Sequence, residues 1–145
     1  MLKVPHEFQL HVTHSCNLTC EGCTHYMNQG HSGNLSLEDA DEWMSNWNTK
    51  VIPKRFTLMG GEPSLHPDLG DFVLLAREKF ANTDIEIVSN GFFLYKHPEL
   101  WKQLVDTGTV LGVSVHSQTD AVYVEKFKPE DPLLPVSYWK RRYET

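Results

Sequence analysis

Short alternating runs and longer amphipathic runs take turns along this chain. Phe8-Gln9-Leu10-His11-Val12-Thr13 alternates apolar and polar positions and predicts a first strand. A cysteine-bearing segment follows at once, and the polar, Gly-containing stretch from Asn28 to Asn34 reads as loop. Ser36 with Asp39 three residues on resembles a capping box and predicts a helix through about Trp47. Phe56-Thr57-Leu58-Met59 predicts a second strand, ending at Gly60-Gly61-Glu62-Pro63. A second helix is expected from about Asp68 to Phe80, with Leu69, Phe72, Val73, Ala76 and Phe80 on one face. Ile85 to Ser89 predicts a third strand, ending at Asn90-Gly91. Pro98 suits the first turn of a third helix that runs to about Asp106, with Gly108 just beyond its end. Val110 to Val115 predicts a fourth strand, ending at His116-Ser117. The remainder, from Thr119, is Pro-rich and aromatic, with a short helix expected near Tyr123 to Phe127.

Strand–helix alternation of this kind implies an α/β fold on a parallel sheet with right-handed crossovers. In such sheets ligands bind at the carboxyl ends of the strands. Each unusual element of the sequence falls at such an end: the cysteines, Gly60-Gly61-Glu62-Pro63, Asn90-Gly91 and His116-Ser117. That coincidence marks the expected functional site. Gln9, His11 and Thr13 share one face of the first strand and are expected to line its floor, whereas Trp43 and Trp47, four apart on a helix, read as packing.

The bulk numbers narrow the function class. The chain has 145 residues, enough for one domain with a real core, and its 40% hydrophobic and 22% charged content is that of an ordinary globular protein. A formal net charge of -6 argues against a general nucleic-acid binder, and Lys140-Arg141-Arg142 reads as a solvated end. There is no apolar run of membrane-spanning length, and Met1 to His6 lacks the apolar core of a signal peptide, so a cytoplasmic location is expected. An odd cysteine count fits that expectation.

The chain's three cysteines are Cys16, Cys20 and Cys23. Three thiolates can hold three irons of a [4Fe-4S] cluster and leave the fourth iron open to a small molecule. Spacings of four and three would also put all three on one helical face, as buried thiols. Asn17, Thr19 and Gly22 are poor helix residues, which favours a loop wrapped around a metal. Zinc is a further alternative, with His14, His25 or His31 as a fourth ligand.

Cys16-x3-Cys20-x2-Cys23 after a first strand resembles the cluster motif of radical S-adenosylmethionine (SAM) enzymes. Gly60-Gly61-Glu62-Pro63 after the second strand resembles that family's motif for the methionyl amine of SAM, and the likeness extends from about Phe8 to Ser117. The resemblance implies a partial (βα) barrel, with residues 1–118 as its core and 119–145 as a tail. It implies a [4Fe-4S] cluster on Cys16, Cys20 and Cys23, and SAM chelating the open iron. Reductive cleavage of SAM would then give a 5′-deoxyadenosyl radical that takes hydrogen from substrate. An electron donor of flavodoxin or ferredoxin type is implied as partner. Gly60, Gly61 and Pro63 would serve through backbone, and Glu62 either keeps a solvated side chain or touches the ligand. Ser114 and His116, on one face of the fourth strand, are candidates for ribose or carboxylate contacts, with Val113 and Val115 packed under helices. Asn90 reads first as part of a tight turn and second as a cofactor contact.

Two departures from the family pattern stand out. Gly22 occupies a position that is usually aromatic and flanks adenine; its backbone can still serve, with Tyr26 or Tyr95 as substitute rings. The family's core usually has about six strand–helix units, and only four are legible here, with no fifth alternating strand after Ser117. A natural miniature, a partial gene product or one half of an assembly is therefore expected, with the tail, a partner chain or a second copy covering the fourth strand's edge. The alternatives to an enzyme acting on a small molecule or peptide are a catalytically incomplete cluster- and SAM-binding protein and a zinc-binding interaction module.

Overall fold

The structure, a computed structural model, describes residues 1–18 and 23–114. Four strands, β1 (Leu2–Thr13), β2 (Val51–Gly60), β3 (Asp84–Ser89) and β4 (Val110–Val113), form one sheet in the order β1-β2-β3-β4. Every pairing is parallel. Three helices, α1 (Leu37–Asn48), α2 (Leu69–Lys79) and α3 (Leu100–Thr107), are the crossovers. This is an α/β fold of four parallel strands, an open segment of a (βα) barrel.

The element ends follow local chemistry. Ser36 caps α1, its hydroxyl accepting from the Asp39 N–H at 3.0 Å. Gly108 closes α3 in the left-handed conformation, φ 63°, donating back to Leu104 and Val105 carbonyls. Arg77 gathers loose carbonyls where α2 and α3 end: Nε donates to Thr107 O at 2.8 Å and Nη1 to Ala81 O and Thr83 O, both at 3.0 Å.

Apolar positions from both layers meet on one face of the sheet. Phe56, Leu58, Ile85, Ile87, Leu111 and Val113 from the strands pack with Ala40, Met44, Leu69, Phe72, Val73 and Leu104 from the helices. Phe56 is fully buried, stacked on Phe80 at 4.8 Å between ring centroids and tilted against Trp43 at 6.2 Å. Trp43 and Trp47 both meet Phe8 edge-on, so these rings are packing, as their spacing implied. The opposite face carries polar pairs: Glu7 pairs with Arg55 in register and Gln9 with Thr57. There the Thr57 hydroxyl donates to the Glu7 carboxylate, and Arg55 pairs with Glu86 at 3.4 Å.

The first two strands begin earlier than the alternation implied, at Leu2 and Val51 instead of Phe8 and Phe56. Prolines hide these extensions. Pro5 sits on the edge strand within a register shift between Val4 and Glu7. Pro53 precedes the point, Arg55, at which β2 gains β3 as a second neighbour. Helix α3 begins at Leu100, two residues after Pro98, because the 3₁₀ turn Leu94–Lys96 leads into it. β4 ends at Val113, and the expected extension to Val115 and the helix near Tyr123 to Phe127 lie outside the described residues. Among the described residues no helix is long and apolar enough to cross a membrane.

Truncating Phe56 to Ala removes the ring at the centre of this core. The expected cost is about 3–5 kcal/mol, read as a lower urea midpoint at unchanged slope. A midpoint close to wild type would contradict the packing described.

Candidate functional site

The carboxyl ends of the four strands converge on a cleft of about 450 Å³. Cys16, Cys23, Gly60, Gly61, Asn90 and Ser114 are among its lining residues, with Met59, Val88 and His25. Two of the three cysteines and the Gly-Gly turn, 37 or more residues apart in sequence, therefore face one space.

The exit of β1 is pinned first. Thr13 is fully buried, and its hydroxyl donates to Asn34 Oδ1 at 2.7 Å and accepts from the Ser15 N–H at 3.1 Å. The His14 N–H donates to Gly33 O at 2.8 Å. From that anchor the chain passes directly over the end of β2. A Cβ on Gly60 would lie 2.3 Å from Thr13 O, and one on Gly61 only 1.9 Å from Ser15 O. The two glycines are required here by the close approach of the β1 exit, whose Ser15 O also accepts from the Glu62 N–H at 2.8 Å. The close approach seen at these glycines is to the chain that leads into the cluster motif.

Glu62 lines the cleft but departs from the expectation of a solvated side chain. Its side chain is not solvated: the residue is 2% exposed and its carboxylate is occupied by protein donors. Oε1 accepts from the Ser64 N–H at 2.9 Å, the Ser64 hydroxyl at 2.5 Å and the Ser89 hydroxyl at 2.6 Å, and Oε2 accepts from the Asn90 N–H at 2.7 Å. A buried carboxylate is costly unless donors reach it, and here three reach Oε1 and one reaches Oε2. Glu62 is thus a brace between the ends of β2 and β3. Pro63 opens the short 3₁₀ turn Pro63–Leu65 at which that brace sits.

Asn90 is 5% exposed, in the turn closed by Gly91 at φ 86°. Its Oδ1 accepts from the Phe92 N–H at 3.1 Å, which confirms the turn expected of Asn90-Gly91. Its Nδ2 donates to Asn17 Oδ1 at 2.8 Å, within the cysteine segment. Ser114 lines the cleft and continues the β4 pairing, its N–H donating to Ser89 O at 2.8 Å, while Val113 is buried in the core as its alternation implied. Cys20, Gly22, Val115 and His116 lie outside the described residues.

Three imidazoles crowd beside the cysteines. His11 stands edge-on to His25 at 4.8 Å and to His14 at 6.0 Å between ring centroids. Burial, then the neighbouring His25 and His14, hold its pKa below the ordinary histidine value. His31 is exposed. Among the described residues no group of three or more His, Cys, Asp or Glu is disposed to hold a metal ion; the third thiol, Cys20, is not among them. Tyr26 is exposed, and neither it nor Tyr95 is among the cleft-lining residues, whereas His25 is.

Met59, Val88 and Asn17 were not singled out by the sequence. Met59 and Val88 could have been found by alternation, since each follows a buried core residue toward the end of its strand. Asn17 had no local signal, because its partner is 73 residues away.

A segment of (βα) barrel with a thiol-lined cleft at its strand ends defines a class, and the comparisons identify it. The profile of the Radical SAM superfamily matches residues 10–132. The chain belongs to the radical SAM superfamily. It is 30% identical over 98 residues to a GTP 3′,8-cyclase of Shewanella denitrificans, covering 66% of this chain and 29% of that protein. It is 32% identical over 114 residues to the GTP 3′,8-cyclase of Pectobacterium atrosepticum, covering 75% and 33%. It is 32% identical over 101 residues to a 7,8-dihydro-6-hydroxymethylpterin dimethyltransferase of Methanocaldococcus jannaschii, covering 67% and 19%. The chain thus spans a third or less of the length of these curated relatives. Among solved structures, BtrN in complex with AdoMet and 2-DOIA shares the fold, with a TM-score of 0.57 and 21% identity over 87% of this chain and 56% of BtrN.

Two predictions follow from the contacts at the strand ends. Gly61→Ala drives a methyl into backbone that cannot rotate away and is expected to cost about 2–4 kcal/mol, comparable to overpacking a core. Gly70→Ala in α2, whose Cβ meets only the flexible carboxamide of Gln103, is expected to be neutral or to stabilise by up to about 1 kcal/mol. Equal midpoints for the two variants in urea would refute this contrast. Glu62→Gln sets an amide N–H₂ against N–H and O–H donors and is expected to cost about 1–3 kcal/mol. A wild-type midpoint for that variant would mean the brace carries no load.

Proposed function

We propose that this chain is the cluster- and SAM-binding part of a radical SAM enzyme. The observation that carries the reading is the meeting of Cys16, Cys23, Gly60 and Gly61 in one cleft at the strand ends. These donors suit the group: thiolates for iron, and backbone carbonyls for an ammonium. When bound, the cluster and SAM supply reductive carbon–sulfur cleavage and hydrogen abstraction from substrate.

The chain's own residues then have separate tasks. Cys16, Cys20 and Cys23 bind three irons and leave the fourth for SAM. Gly60 and Gly61 offer carbonyls to the methionyl amine, on a turn stiffened by Pro63 and braced by Glu62. Ser114 and His116 meet the ribose or carboxylate of SAM, and the Gly22 backbone flanks adenine. Asn90 serves the site through protein contacts. Met59 and Val88 wall the cleft and exclude water from the reacting atoms. A flavodoxin- or ferredoxin-type donor supplies the electron, which fits a cytoplasmic setting. The relatives' names denote different reactions, yet what they share with this chain is a third or less of their length. The shared part accordingly carries the common radical-forming step, and the substrate, a small molecule or peptide, is chosen largely by residues outside it. A partner chain or second copy that completes the barrel fits the same reasoning.

The short coverage also supports a second reading, in which the chain binds cluster and SAM without turning over alone. Anaerobic reconstitution with iron and sulfide separates the two. The enzyme reading expects about four irons per chain and 5′-deoxyadenosine from SAM under reduction. A cluster without that product supports the second reading, and zinc uptake with no brown chromophore overturns both. Cys20→Ala is expected to abolish cluster retention; retention at the wild-type level would remove Cys20 from the ligand set.

A further inference from the structure

Cys16 is flanked on both sides by bonds to the exits of different strands. Just before it, Ser15 O takes the Glu62 N–H. One residue past Cys16, Asn17 Oδ1 takes the Asn90 Nδ2. Asn17 is exposed, so nothing in its burial holds it there, whereas Asn90 is 5% exposed and fixed by two further hydrogen bonds of its own. Its N–H donates to Glu62 Oε2 and its Oδ1 accepts from the Phe92 N–H, while the next residue's N–H, that of Gly91, donates to the Ser89 hydroxyl oxygen at 3.0 Å. The Phe92 N–H fixes which end of the carboxamide is oxygen, so the amino end is committed to Asn17. A rigid donor on β3's exit therefore reaches across the cleft to an acceptor beside the first cysteine.

We propose that Asn90 is a positioning residue for the metal-binding segment: it latches Asn17 and so sets the place of the Cys16 thiol against the Gly60-Gly61 turn. The role rests on the cluster reading for its consequence but not for its geometry, since the latch exists within the protein alone. Glu62 is the common support, holding Ser15 through its own N–H and Asn90 through its carboxylate. A displacement of the turn is thereby passed to both sides of Cys16. The cost of a misplaced thiol falls on cluster retention and on how SAM meets the open iron.

Deuterium exchange on the metal-free chain tests the latch, with Asn17→Ala, Asn17→Asp, Asn90→Ala and the double Ala variant. Asn17→Ala is expected to speed exchange of the amides in the 16–18 segment about fivefold, the loss of one net hydrogen bond. Asn17→Asp keeps the acceptor and should exchange at the wild-type rate. The double variant should be no faster in this segment than Asn90→Ala, because each single change already breaks the same bond. Wild-type exchange in Asn17→Ala, or multiplied effects in the double variant, would overturn the latch. On reconstituted protein, Asn17→Ala should lose iron to a chelator severalfold faster, and SAM should perturb its reduced-cluster paramagnetic signal less. Unchanged iron loss and signal in that variant, with faster exchange in the metal-free chain, would overturn the positioning role. Failure of the wild-type chain to take up iron would instead sink the proposed function, and the exchange data would still judge the latch.

Discussion

A single buried carboxylate holds the working end of this fold together. Glu62 accepts from Ser64, Ser89 and Asn90 while its own N–H binds Ser15, so the exits of β1, β2 and β3 meet at one residue. The β1 exit is also held by Asn34 and Gly33, and the Glu62 bonds tie that anchored exit to the ends of β2 and β3. The buried polar groups at these strand ends bond one another. The two glycines before Glu62 are part of the same constraint: only a chain without Cβ atoms can pass close enough to Ser15 for that N–H to reach it.

Much of the fold was legible because local signals agreed. Alternation, the Ser36 cap and the Gly108 stop each located an element to within a few residues. The misplaced boundaries share a cause: Pro5 and Pro53 interrupt the alternation that announces a strand, but each lies where a ladder bond is not needed. For the site, the spacing of the cysteines and the position of Gly60-Gly61 were enough to bring them to one end of a parallel sheet. The uses of Glu62 and Asn90 were not readable. A buried Glu and a solvated Glu look alike in sequence, and the Asn90–Asn17 bond depends on two loops meeting across four strands' worth of chain. Such side-chain links carry no periodicity, so they become visible only once the strand order is known.

The sheet divides its labour between its two faces. Apolar side chains from all three helices and four strands are gathered on one face, and the other carries Glu7, Gln9, Arg55, Thr57 and Glu86. The hydrophobic contribution to folding is thus concentrated on the helical side. The other side contributes pairs such as Arg55–Glu86, half-open to solvent, whose net worth is small.

That division has an evolutionary consequence. Substitutions at the half-open Arg55–Glu86 pair carry little folding cost, whereas those at buried Thr13 and Thr57 on the same face, and on the helical face, carry more. Lineages built on this half-barrel can drift at such half-open pairs while keeping the same three crossovers.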